Sequence, residues 1–227
     1  MKHNSYNRNF NKTRTAPKKR KVITIDPNLL INQPVTQERV DFISGFTYNE
    51  MPLHPLLKEN VKAKGYERPT EIQEKAVPAL IEGHDMIGIA STGTGKTAAF
   101  LIPFIEQLLT GAATSGLVVV PTRELAQQVA EEFKGFTAGM KFRSSCFIGG
   151  TSVNNDINNA RRQNHLIIAT PGRLIDLIDR NALNLQSISV LILDEFDRML
   201  DMGFIHDVKK IVAITKNRNQ TLLFSAT

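Results

Sequence analysis

The chain is poor in several features that define whole classes of protein. Cys146 is the only cysteine among 227 residues. A lone thiol forms no internal disulfide and no thiolate metal cluster, and it fits a reducing compartment, the cytoplasm or, in a eukaryote, the nucleus. No apolar run approaches the roughly 20 residues of a membrane-spanning helix. The basic N-terminus has no apolar core behind it. Neither a membrane partner nor a secretory signal is therefore expected. No segment repeats.

Acidic side chains are missing from residues 1–21, which carry Lys2, Arg8, Lys12, Arg14, Lys18, Lys19, Arg20 and Lys21. That segment is +8, and the remainder holds 20 basic against 22 acidic side chains, so the net +6 belongs wholly to the tail. The tail is rich in Asn, Thr and Ser and poor in apolar residues, and it is expected to be disordered. A basic arm of this kind adds salt-sensitive, sequence-independent affinity for nucleic acid. A solubilising leader has the same composition, and Lys18-Lys19-Arg20-Lys21 also fits a nuclear-import run. Pro27, Pro34 and Gly45 break up residues 22–45 as a linker. The expected division is a tail and linker over 1–45 and one folded domain over 46–227.

From residue 48 the pattern becomes regular. Residues 53–64 read as a helix ended by Gly65, and 70–82 as a second with Thr70 as cap and Gly83 as terminator. Six strand candidates, most of them short, continuous and rich in Val, Ile and Leu, follow at 86–90, 117–120, 145–148, 166–169, 190–193 and 221–224, separated by helical stretches. Continuous apolar strands alternating with helices predict an α/β domain around a mostly parallel sheet, buried on both faces. A polar cluster follows each strand: the loop after 86–90, Pro121-Thr122-Arg123-Glu124-Leu125-Ala126, Gly149-Gly150, Thr170-Pro171-Gly172-Arg173, Asp194-Glu195-Phe196-Asp197 and Ser225-Ala226-Thr227. Ligands of open α/β sheets bind outside the carboxyl ends of the strands. All six clusters are therefore expected along one edge.

The first cluster is the most informative. Ala90-Ser91-Thr92-Gly93-Thr94-Gly95-Lys96-Thr97 lies between an apolar strand and a helical run. Such a turn points backbone N–H groups inward with a helix N-terminus behind them, an anion cradle. Lys96 can reach outer phosphates, and the Thr97 hydroxyl can ligate Mg²⁺. The general pattern opens with glycine where this chain has Ala90, but the residues that touch phosphate and metal are kept. A nucleoside triphosphate is the expected ligand. About 100 residues on, Asp194-Glu195 ends an apolar strand, where one carboxylate can hold Mg²⁺ and its neighbour can orient a water for attack on the γ-phosphate. Arg123 and Arg173 stand just beyond strands where helices start. There they could hold nucleic-acid phosphates, although either alone could equally be a surface ion pair.

Together these motifs resemble the N-terminal RecA-like domain of a DEAD-box RNA helicase, of helicase superfamily 2, over roughly residues 48–227. Ala90 belongs to that family's form of the phosphate loop, Arg198-Met199-Leu200-Asp201-Met202-Gly203-Phe204 is typical of it, and Gly65-Tyr66-Glu67-Arg68-Pro69-Thr70-Glu71-Ile72-Gln73 resembles its adenine-reading segment. The resemblance implies the following roles. ATP and Mg²⁺ are the cofactors. Gln73 reads the adenine edge, Arg68 and Thr70 support that pocket, and an aromatic at Tyr48 stacks on the base, with Phe46 as runner-up. Thr92, Gly93, Thr94, Gly95, Lys96 and Thr97 cradle phosphate and metal. Lys96, Asp194 and Glu195 form the catalytic set, with Asp194 holding the metal through water and Glu195 positioning the attacking water. Asp197 contacts Ser225 and Thr227 and couples hydrolysis to domain movement. Pro121, Thr122, Arg123, Gly149, Gly150, Thr170, Pro171 and Arg173 line an RNA backbone, gripped without regard to sequence.

This chain departs from the family at Phe196, where alanine is usual, and at Tyr48, where phenylalanine is. It also stops where the family continues into a second RecA-like domain, whose arginines reach the γ-phosphate. Such arginines are worth about 10³–10⁵ in rate. The expected function is ATP-dependent local unwinding of RNA duplexes, by a monomer, once this domain is joined to its second; the domain alone should turn over little. A non-enzymatic RNA-binding or chaperone module and a DNA translocase of the same superfamily are the alternatives. A GTP switch is disfavoured by Gln73 and by the lack of an Asn-Lys-x-Asp guanine reader.

Overall fold

The computed structural model describes residues 42–226. The basic tail, nearly all of the expected linker and Thr227 lie outside them.

A single 3-10 turn over Tyr48–Glu50 leads to α1 (Pro55–Ala63) and α2 (Glu71–Ile81). His54 starts α1 by accepting the Leu56 N–H at 3.2 Å, and Pro55 occupies the first turn, where its missing N–H costs nothing. The chain then alternates: β1 (Met86–Ile89), α3 (Lys96–Thr110), β2 (Gly116–Val119), α4 (Arg123–Phe136), β3 (Ser144–Phe147), α5 (Val153–Ala160), β4 (Leu166–Ala169), α6 (Pro171–Asp179), β5 (Val190–Leu193), α7 (Phe196–Asp201), α8 (Ile205–Ile214) and β6 (Gln220–Ser225). All six predicted strands are present: two have the predicted bounds, β1 is a residue shorter, β2 and β3 are shifted by one residue, and β6 is longer by one residue at each end.

The strands form one sheet in the order β1-β6-β5-β2-β4-β3, and every pair is parallel. Val118, Ile168 and Ile192 face one apolar layer, shared with α1, α2, α3 and α4. Leu117, Val119, Ile167, Leu191 and Leu193 face the other, covered by α6, α7 and α8. Side chains alternate across a strand, so strands apolar at both parities must be covered on both faces. The expectation of two-sided burial holds for β2, β4 and β5 but not for β1. There, at the sheet edge, Ile87 and Ile89 are 72% and 66% exposed.

Candidate functional site

Because all strands run the same way, the six polar clusters lie along one edge, and ladder bonds beyond the strands tie them together. Ala90 N–H donates to the Ser225 carbonyl (3.1 Å), Val120 N–H to Ala169 (3.0 Å), Thr170 N–H to Phe147 (3.1 Å) and Asp194 N–H to Val119 (3.0 Å). In the loop after β1, Gly93 and Gly95 adopt φ +83° and +89°, conformations that favour glycine. The loop is closed on itself. The Lys96 ammonium donates to the Ala90 carbonyl at 2.5 Å, and the Thr94 hydroxyl to the Ser91 carbonyl at 2.7 Å. Thr92 is exposed, and Thr97 is half-buried on the first turn of α3, whose N-terminus backs the loop.

Asp194 is 2% exposed at the end of β5. Burial pushes its carboxyl up to about 6, against the pull of the Glu195 N–H and the Lys96 charge. Glu195 stands at φ +50°, an uncommon conformation for a residue with a side chain. The turn ends the strand and starts α7, and the Glu195 carboxylate meets Arg198 at 3.1 Å. Phe196, the departure from the family tetrad, is half-buried against the second apolar layer. Asp197 accepts the Ala226 N–H at 3.2 Å. It thus reaches the segment of the expected partners, with buried Ser225 beside that amide and Thr227 outside the described residues. No cluster of three or more His, Cys, Asp or Glu fit for a metal occurs among the described residues. A buried, under-compensated carboxylate and a hydroxyl on the same crest do fit Mg²⁺, a hard cation that takes few protein oxygens and completes its shell with phosphate and water.

On the adenine side the side chains are brought together but turned inward. Gln73 is wholly buried. Its oxygen accepts from the Thr70 N–H and the Tyr48 hydroxyl, both at 2.8 Å, and its amide donates to the Gly95 carbonyl at 3.0 Å. Thr70 holds the cap position of α2, where it and Gln73 form a reciprocal capping box, and its hydroxyl also donates to the Thr94 carbonyl (2.7 Å). Arg68 reaches back to the Ser44 carbonyl at 2.8 Å and fastens the segment that leads to Tyr48. The stacking role expected of Tyr48 is not displayed in this conformation. The residue is 2% exposed, edge-on to Tyr66, and burial raises its hydroxyl pKa well above the ordinary value. Phe46 is the half-buried aromatic nearby in sequence.

The residues expected to line a nucleic acid divide in two. Thr122 caps α4 by accepting the Leu125 N–H (3.3 Å), and Arg123, its first residue, is exposed. Exposed Gly150 lies directly against the Arg123 guanidinium, and Gly149 is half-buried beside it. Pro121, Thr170 and Pro171 are buried. Arg173, expected to face a phosphate backbone, does not. Its side chain is 8% exposed and ion-paired to Asp156 on α5. It donates further to the Thr151 hydroxyl at 3.1 Å and the Thr151 carbonyl at 3.0 Å. Asp156 and Thr151 were not singled out in the sequence. An acid on an Asn-rich helix gives no local signal of an arginine 17 residues away.

Comparison with known proteins matches this arrangement. The DEAD/DEAH box helicase family profile covers residues 70–227. The chain is 46% identical over 183 residues to "DEAD-box ATP-dependent RNA helicase CshA" of Streptococcus pneumoniae, covering 79% of this chain and 34% of that protein. It is 42% identical over 183 residues to "ATP-dependent rRNA helicase RRP3" of Debaryomyces hansenii, covering 80% and 38%. Among solved structures, a DEAD box protein from Methanococcus jannaschii superposes with a TM-score of 0.75 at 38% identity, over 83% of this chain and 51% of that one. A hypothetical ATP-dependent RNA helicase from Sulfolobus tokodaii gives 0.72 at 39% identity, over 77% and 51%. The chain thus spans about a third of these curated relatives and half of these solved chains. With the profile match covering more than half of its residues and the phosphate loop, Asp194-Glu195 and Ser225-Ala226 aligned along one sheet edge, this chain belongs to the DEAD/DEAH box helicase family.

Proposed function

We infer that this domain is the nucleotide-binding half of an ATP-dependent RNA helicase. The convergence of six polar clusters on one edge of an all-parallel sheet, with Lys96 close enough to Asp194 for its charge to be felt, carries this reading. ATP sits at the loop after β1. Lys96 exchanges the Ala90 carbonyl for phosphate oxygens, and the first-turn N–H groups of α3 face the same anion. Thr97 and Asp194 would hold Mg²⁺, which would supply positive charge against the phosphoryl oxygens. Glu195, in a left-handed turn and paired with Arg198, orients the attacking water. Gln73 selects adenine once its bond to Gly95 is exchanged for the base edge, so occupation of the base site and opening of the phosphate loop are one event. An RNA backbone runs alongside, over Arg123, Gly150 and the α4 and α6 N-termini. Asp197, bonded to the Ala226 amide, links the pocket to the segment that leads toward a second RecA-like domain, with which duplex separation occurs.

Isothermal titration of the 227-residue chain with ADP and GDP, each with and without Mg²⁺, tests the reading. ADP is expected to bind, more tightly with Mg²⁺, and Lys96→Ala to abolish the heat. A preference for GDP, or ADP binding that survives Lys96→Ala unchanged, refutes it.

A further inference from the structure

We propose that Arg173 and Asp156 form an internal clamp that shapes the Gly149-Gly150-Thr151 loop and, through it, the seat of Arg123. Arg173 is then a positioning residue of the RNA surface rather than a phosphate ligand. The inference rests on the reading above that this crest binds RNA backbone.

The Arg173 guanidinium is spent inside the protein. One terminal nitrogen serves Asp156 and the Thr151 hydroxyl, and the other the Thr151 carbonyl. Both members of the ion pair are buried, with side chains 8% and 7% exposed. A phosphate grip needs a cation that solvent and ligand can reach, and this one is walled off. Turning it outward would strand the Asp156 carboxylate in the interior, a costly arrangement.

The geometry shows what the pair holds. Thr151 receives both nitrogens, and its hydroxyl also lies 2.8 Å from the Ile148 carbonyl and 3.1 Å from Asp156, so the loop that ends β3 is gripped at main chain and side chain together. The planar guanidinium suits such multidentate contacts, which an ammonium cannot reproduce. One residue earlier, Gly150 has φ +82°, and a Cβ there would lie 2.6 Å from the Arg123 Nη1. The exposed Arg123 head is thus seated on Gly150, and the position of Gly150 follows from Thr151. The chain of contacts runs Asp156, Arg173, Thr151, Gly150, Arg123. It ties α5, α6, the β3 loop and the start of α4, and only its last member offers charge to a ligand.

The test is fluorescence anisotropy of a labelled oligouridylate on the 227-residue chain across a salt series, for Asp156→Asn, Arg173→Lys, Thr151→Val and Arg123→Ala. The two roles of Arg173 predict opposite signs. As a clamp, Asp156→Asn weakens RNA binding several-fold, and Arg173→Lys weakens it similarly, both with the slope of log affinity against log salt unchanged. As a phosphate ligand, Arg173 is freed by Asp156→Asn and binding strengthens, while Arg173→Lys keeps affinity. Arg123→Ala is expected to lower the slope by ~0.7, one phosphate contact on a single strand. Amide hydrogen exchange at Gly150 and Thr151 reads the clamp without RNA and should quicken in Asp156→Asn. Thr151→Val keeps the ion pair and serves should that variant not fold. Binding and exchange unchanged in these variants, with Arg123→Ala impaired, overturn the clamp and leave the RNA surface standing. Quickened exchange in a protein that binds no RNA overturns the RNA surface, and with it the functional role given to Arg173.

Discussion

Gly95→Ala isolates the contact that joins the phosphate loop to the base-reading segment. Gly95 adopts φ +89°, and a Cβ there would lie 2.3 Å from Gln73 Nε2 and 3.3 Å from the Thr70 hydroxyl. A left-handed conformation costs a residue with a side chain about 1–2 kcal/mol. The clash adds to this, because Gln73 has nowhere to go: it is wholly buried and holds three hydrogen bonds of 2.8, 2.8 and 3.0 Å. Displacing its amide loses bonds worth about 1 kcal/mol each net. The sum is about 3–5 kcal/mol, or about 10 °C in unfolding midpoint for a chain of this size.

Gly93→Ala is the internal control. Its φ is +83°, but nothing lies within 4 Å of the added Cβ, so only the backbone term applies. Urea unfolding of both variants, and of Gly95→Ala in a Gln73→Ala background, measures the difference. In that background the Gln73 clash is gone, only the 3.3 Å approach to the Thr70 hydroxyl remains, and the cost of Gly95→Ala should fall to about 1–2 kcal/mol. The reasoning is refuted if Gly95→Ala and Gly93→Ala destabilise equally, or if removing the Gln73 side chain leaves the cost of Gly95→Ala unchanged.

Two further changes follow from the same crest. Burial raises the Asp194 carboxyl from 3.8 to about 6. Between those values the folded chain holds the extra proton, so stability falls as pH rises, and above about 6 the folded state carries a cost of about 3 kcal/mol. Asp194→Asn is expected to raise the unfolding midpoint of the Mg²⁺-free protein at about pH 8 and to change it little near pH 4; a lower midpoint at the higher pH contradicts this. Tyr48→Phe removes a buried donor from Gln73, which keeps the Thr70 N–H. It should cost about 1 kcal/mol in urea unfolding and, by loosening Gln73 from its internal partners, tighten ADP in titration; unaltered stability together with weaker ADP binding would show that the hydroxyl does not hold Gln73.

What the sequence reveals here is what backbone periodicity controls. Strands apolar at both parities, helices between them and polar residues at each strand end leave few arrangements open, and a parallel sheet sends all those ends to one edge. Thr70 reads as a helix cap from its type and holds that place at the start of α2, but the second bond of its hydroxyl, to the Thr94 carbonyl 24 residues away, has no local signal. The inward turn of Arg173 is illegible for the same reason. Whether an arginine at a helix start meets solvent or a buried acid depends on Asp156, which arrives from another helix. The exposed face of β1 was misread because sequence shows a strand's composition but not its place in the sheet. Gly95 shows the reverse case, in which the glycine is plain in the sequence but Gln73, the side chain that requires it, is visible only in three dimensions.

Charge makes the last point about this crest. Residues 42–226 carry 19 basic and 19 acidic side chains, so attraction of the folded part for polyanions cannot come from net charge. It must come from placement. α3, α4 and α6 all begin at the carboxyl ends of parallel strands, with caps at Gly95, Thr122 and Thr170, so three helix N-termini meet the same edge. Each carries a partial positive charge confined to its first turn. Lys96 and Arg123 stand in two of those turns, while Arg173, in the third, is neutralised by Asp156. The acids of the crest sit in the middle of the sheet order: Asp194, Glu195 and Asp197 follow β5, between the loop after β1 and the loops after β2, β4 and β3. The proposed function asks for a metal cation beside those acids and phosphate anions on either flank, and this placement of charge accommodates both. The parallel order of the strands keeps the two fields apart while leaving them mechanically joined.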